Sequence, residues 1–119
     1  MTPDELEDRL VAFAVLIIEV SSNLQNNNAG RNMSNQIVRS GTSPALNYGE
    51  ARSAESRKDF VHKVKIILKE LRETRVSLKI IDKANLFLKD LNFLQQATKE
   101  CEELISIFVS SSKTAQKNQ

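Results

Sequence analysis

The chain has 119 residues, 17 Lys and Arg against 15 Asp and Glu, 40% hydrophobic residues and a single Cys. That length makes one domain, and a lone Cys supplies neither an internal disulfide nor the thiolates of a structural zinc site. Two Pro and three Gly argue against a turn-rich sandwich or barrel. The longest apolar run, Leu10 to Ile18, is about half of a membrane span. The stretch before it is net acidic, unlike the basic start of a signal peptide. A soluble, cytoplasmic, all-α protein is expected.

The first helical segment, about residues 3–26, opens with a capping box of Thr2 and Glu5, with Pro3 at the first helical position. Leu6, Leu10, Phe13, Ile17, Val20 and Leu24 then recur at alternating spacings of four and three. Val11, Val15 and Ile18 widen that stripe. Residues Asn26 to Gly30 break the pattern, with Gly30 free to take a positive φ.

The second segment, about residues 32–52, places Met33, Ile37, Ser40, Pro44, Tyr48 and Ala51 on one face. Two readings compete across its poor helix formers, Ser40 to Ala45. One is a loop between two short helices; the favoured one is a single helix kinked near Gly41 and Pro44.

The third segment, about residues 56–82, starts at Ser56 with Asp59 three residues on. Phe60, Val64, Ile67, Leu71, Thr74, Leu78 and Ile81 form its apolar seam. The turn falls near 82–88. The fourth segment, about residues 89–112, carries Leu91, Leu94, Thr98, Cys101, Ile105 and Phe108 on one face, and residues 113–119 read as a frayed tail. Four such segments with short connections make an antiparallel up-down-up-down bundle.

Charge is unevenly spread. Residues 1–30 carry a net charge of −4, residues 31–80 carry +6, and residues 81–119 carry none. Within the basic stretch, Lys58, His62, Lys65, Lys69, Arg72 and Lys79 form a second stripe, interrupted by Val76. It reads either as an ordinary solvated face, with Lys69 pairing Glu73, or as a surface for nucleic-acid phosphates. No aromatics interleave it, so any such contact is to the backbone and sequence-tolerant.

No catalytic constellation emerges. His62 is the only His, and Cys101 falls on the core stripe as an inert thiol. Glu100, Glu102 and Glu103 lack the Glu-x-x-His repeat of a di-iron bundle and read as a solvated acidic face. Glu70 and Glu73 read as an ion-pair network with Arg72 and Arg75. No enzyme activity, cofactor, metal or small-molecule substrate is expected. Helix one is apolar over more than one face, and Val61, Leu68 and Ile80 lie outside the third seam. That surplus is either a thick core or an exposed patch, and it favours a homo-oligomer.

Three stretches carry a resemblance: Asn47-Tyr48-Gly49-Glu50-Ala51, Glu55-Ser56-x-x-Asp59-Phe60-x-His62-Lys63, and Lys69-Glu70-Leu71-Arg72-Glu73-Thr74. They resemble the bacterial four-helix-bundle proteins encoded in 23S ribosomal RNA intervening sequences. The resemblance implies an antiparallel bundle assembled as a ring-like homopentamer, with the second helix continuing across Gly41 and Pro44. The same superfamily includes the accessory variability protein of diversity-generating retroelements, a basic pentamer that binds nucleic acid and a reverse transcriptase. That likeness implies nucleic-acid contact at Arg39, Arg52, Arg57, Lys58, Lys65, Lys69 and Arg72. Spacing adds His62 and Lys79 to them. The expected role is a non-enzymatic oligomer that contacts RNA or DNA backbone; the alternative is a protein-interaction scaffold.

Overall fold

Thr2 and Glu5 start the first helix, α1 (Pro3–Ser21), as the capping box predicts. The Thr2 hydroxyl accepts from Glu5 N at 3.1 Å, and the Glu5 carboxylate accepts from Thr2 N at 3.0 Å. In this computed structural model, which describes residues 1–117, three more helices follow. They are α2 (Asn28–Ala51), α3 (Arg57–Lys83) and α4 (Leu91–Lys117), and no strand occurs among the described residues. Asn27 caps α2 by accepting from Gly30 N, and Ser56 caps α3 by accepting from Asp59 N. The fold is all-α.

Several boundaries differ from the sequence expectation. Helix α1 ends at Ser21 rather than near 26, and α2 begins at Asn28 rather than 32. Between them the chain pairs with the α3–α4 connection. Gln25 N donates to Leu86 O at 2.9 Å and Leu88 N to Asn23 O at 2.8 Å, which buries Leu24 and Leu86. Those bonds between two connections of the same chain stand where the last turn of α1 was expected.

Gly30 does not take a positive φ; the left-handed residue is Asn85, at φ 55° in the α3–α4 connection. Gly30 instead lies so close to the Gln25 carbonyl that no side chain fits. Helix α4 starts two residues late, which leaves Leu91 exposed at its first turn. It also runs on through 113–117, with Ala115 buried, so that stretch is helix and not a frayed tail. Asn118 and Gln119, the end of that expected tail, lie outside the described residues.

Helix α2 is one helix through Gly41 and Pro44, which removes the reading with two short helices. Pro44 has no N–H, so the Ser40 carbonyl loses its usual partner. Its face still packs: Met33, Ile37, Ser40, Pro44, Tyr48 and Ala51 are all buried. Side chains add local support, with Thr42 donating to Val38 O at 2.7 Å and Asn47 to Ser43 O at 3.0 Å.

Contacts fix the directions of the helices. Ser34 bonds to Ser21 while Arg52 bonds to Asp4, so residue numbers rise along α2 as they fall along α1. Likewise Arg39 meets Glu70 while Glu50 meets Lys63, which sets α3 against α2. Each helix packs on its sequence neighbour, and α1 on α4 closes the square. The α1–α2 and α2–α3 pairs are antiparallel. The molecule measures 46 × 23 × 20 Å, and its core is centred on Phe13, Ile17, Ile37, Ile67, Leu71 and Phe108.

Candidate nucleic-acid interface

The basic stripe lies on the outward face of α3, opposite the seam of Val64, Ile67, Leu71, Thr74, Leu78 and Ile81 that faces the core. The reason is helical spacing: Lys65, Lys69 and Arg72 fall about half a turn away from those buried positions. Seven of the nine residues named from the sequence are exposed and make no ion pair among the described residues. They are Arg57, Lys58, His62, Lys65, Lys69, Arg72 and Lys79, all on α3.

The other two are engaged within the molecule. Arg39 reaches from α2 to Glu70 at 3.0 Å and also pairs with Glu73. A hydrogen bond to Glu73 is the chief cause that raises its pKa. Arg52, at the end of α2, spans Asp4 at 2.7 Å and Glu7 at 3.2 Å on α1, and its pKa is raised first by the Asp4 bond. Their charges are already answered.

This arrangement corrects two local expectations. Glu70 and Glu73 do not pair with Arg72 and Arg75, and Lys69 does not pair with Glu73, because Arg39 takes both carboxylates. Arg75 is half-buried, and its Nε is buried without a hydrogen-bond partner among the described residues. The acidic trio of α4 is not simply a solvated face. Glu100 and Glu103 hold Arg9 of α1 at 2.7 Å each, a contact that raises the Arg9 pKa, while Glu102 stays exposed. No residue spacing could have shown these pairs, since each joins helices far apart in sequence.

Beside the stripe, an open groove of about 770 Å³ runs between α2 and α3. Lys65, Lys69 and Arg72 line it together with the apolar Leu68, Val76 and Ile80. Val76 and Ile80 are 52% and 46% exposed. On α1, Val11, Val15 and Ile18 are also exposed, whereas Val61 and Leu68 are buried. The surplus apolar residues therefore divide between a thicker core and two surface patches.

The groups a nucleophilic mechanism would need stay apart. Cys101 is fully buried, donates to Leu71 O at 3.2 Å, and its thiol is pushed up to about 12 by burial. His62 lies on the exposed face of α3. No cluster of three metal-ligating side chains occurs among the described residues, and none of their helices is long and apolar enough to cross a membrane.

Residues 8–110 match the family described as 23S rRNA-intervening sequence protein. Among solved structures, the fold is similar to a protein of unknown function from the S23 ribosomal protein family of Bacteroides thetaiotaomicron VPI-5482. The likeness has 32% identity and a TM-score of 0.81, and covers 91% of this chain and 98% of that one. No curated protein matches the chain.

Proposed function

We propose that this chain, which belongs to the 23S rRNA-intervening sequence protein family, is a non-enzymatic, self-associating bundle that holds nucleic-acid backbone on α3. The observation that carries this reading is the contrast among its cations. Arg9, Arg39 and Arg52 each find two carboxylates, whereas Arg57, Lys58, Lys65, Lys69, Arg72 and Lys79 on the outer face of α3 find none among the described residues. Unneutralised cations along one helix suit a polyphosphate, which releases its own counterions on binding. Arg57 and Lys58 also stand in the first turn of α3, where the helix dipole adds positive potential. Self-association supplies avidity, because each added copy repeats the row; the family resemblance favours a homopentamer.

Fluorescence anisotropy against a structured RNA and a DNA duplex tests the reading at about 50 and 200 mM salt. Micromolar or tighter binding that weakens steeply between the two is expected. Absence of binding at the lower salt refutes it. The exposed Leu46, Leu88 and Leu91 favour a second reading, a protein-interaction scaffold without nucleic acid, which that refuting result would leave standing.

A further inference from the structure

Two of the stretches that carry the resemblance meet where α2 ends and α3 begins. Tyr48 and Ala51 come from the last turn of α2, and Ser56 and Phe60 from the cap and first turn of α3. Together with Arg52 and Arg57 they line a cleft of about 540 Å³. That volume is in the range of small-molecule sites and exceeds what an inorganic anion fills. Among the described residues, no acid lines it.

The Tyr48 hydroxyl is the unexplained group of this cleft. Its ring stands edge-on against Phe108 of α4, with centroids 5.7 Å apart, and the residue is only 6% exposed. Yet the hydroxyl makes no hydrogen bond among the described residues, and it is not sealed in the core as the Arg75 Nε is. What remains accessible of Tyr48 therefore opens onto the cleft. A polar group so placed takes its partner from whatever enters. Burial pushes the phenol above its ordinary pKa, so at neutral pH it is a donor.

The start of α3 adds further donors. Ser56 accepts from Asp59 N at 3.1 Å through its hydroxyl and from Phe60 N through its carbonyl. The amides of Arg57 and Lys58 find no acceptor among the described residues. The Arg57 guanidinium makes no ion pair there either, whereas Arg52 is held by Asp4 and Glu7. A helix of 27 residues thus offers its positive end, two free amides and a free guanidinium at the cleft that Tyr48 also lines. Phe60 and Ala51 supply apolar wall beside them.

We propose that this cleft binds the phosphate monoester of a nucleotide, its phosphate on Arg57, the first amides of α3 and the Tyr48 hydroxyl, its nucleoside against Phe60 and Ala51. A monoester presents three terminal oxygens to these donors, and a diester inside a strand only two, so the cleft selects an end over an internal phosphate. The apolar wall and the volume call for more than phosphate alone. Two sources carry this chemistry, a free mononucleotide and the 5′ end of an RNA strand. The cleft stands at the head of the α3 row, where a strand lying on that row would end. That second source rests on the reading above; recognition of the monoester does not.

Amide-resolved NMR titration of the full chain with adenosine 5′-monophosphate, adenosine and inorganic phosphate tests the cleft. The monophosphate should shift the Arg57 and Lys58 amides saturably, adenosine should not, and phosphate alone should bind about tenfold more weakly or worse. Tyr48→Phe keeps the ring against Phe108, and Arg57 is exposed, so Tyr48→Phe and Arg57→Gln should retain the helical circular dichroism of the parent. Each should weaken the monophosphate about tenfold. No saturable shift with the monophosphate overturns the proposal, as does affinity unchanged by Tyr48→Phe, or inorganic phosphate that binds as tightly. A short RNA with and without a 5′-phosphate then separates the sources. A preference for the phosphorylated RNA that Tyr48→Phe abolishes assigns the cleft to strand ends; equal binding of the two assigns it to free mononucleotides. The monophosphate has no phosphate chain to lie along α3, so its binding stands or falls separately from that of RNA.

Discussion

Gly41 of α2 lies directly against Ile17 of α1: a Cβ at residue 41 would come 2.9 Å from the Ile17 Cβ. Both residues are buried and surrounded by packed helix, so neither can yield cheaply. Gly41→Ala should destabilise the fold by about 1–3 kcal/mol through overpacking. Gly49 in the same helix has open space around its Cβ position. Gly49→Ala should therefore stabilise by about 0.5–1 kcal/mol. Urea denaturation of the two variants checks the opposite signs.

Between α2 and α3, the Thr74 hydroxyl lies 2.9 Å from the Ser40 hydroxyl, in a site where both residues are at most 1% exposed. Thr74→Val keeps the shape and strands the Ser40 hydroxyl, at a cost of about 1–3 kcal/mol. Adding Ser40→Ala should recover most of that loss, since no polar group is then left unpaired. A double-mutant cycle in denaturant reads the coupling; simple additivity would show that the contact is idle.

Cys101 gives a pH dependence of defined sign. Burial raises its thiol from 9.0 to about 12 in the fold, so the folded chain holds the proton more tightly than the unfolded chain does. The stabilisation is complete below about pH 9 and is lost progressively as pH rises toward 12. Melting temperatures should fall over that window, and Cys101→Ala should flatten the part of the slope due to the thiol. At pH 8 a thiol reagent should modify the protein only at the rate of unfolding. Fast labelling of the native protein would contradict the burial.

The fold was legible where burial is a matter of local spacing. Leu10, Phe13, Ile17 and Val20, and the α3 seam from Val64 to Ile81, face the core as the alternation of four and three requires. Ser56 and Thr2 marked their helix starts because capping is equally local. Contacts between distant segments were not legible. The Leu24–Phe87 bridge shortened α1, and Arg39 drew Glu70 and Glu73 away from their own helix. The end of α4 was missed because one small residue, Ala115, carries its packing.

The same division runs through the candidate interface. Periodicity alone put Lys58, Lys65, Lys69 and Arg72 on one face, and that face is exposed. Which cations remain unneutralised depends on topology, and only the packed bundle separates Arg39 and Arg52 from the rest. The exposure of Val11, Val15 and Ile18 is of the same kind, since core and patch share one helical pattern until the neighbours are known.

The salt dependence of RNA binding tests the central claim most directly, measured for the parent and for Arg57→Gln/Lys58→Gln. Each cation that contacts phosphate contributes about one unit to the slope of log affinity against log salt. The variant should bind more weakly and with a slope shallower by about two per bound chain. Superimposable curves for the two proteins, or no binding by either at about 50 mM salt, would contradict the account.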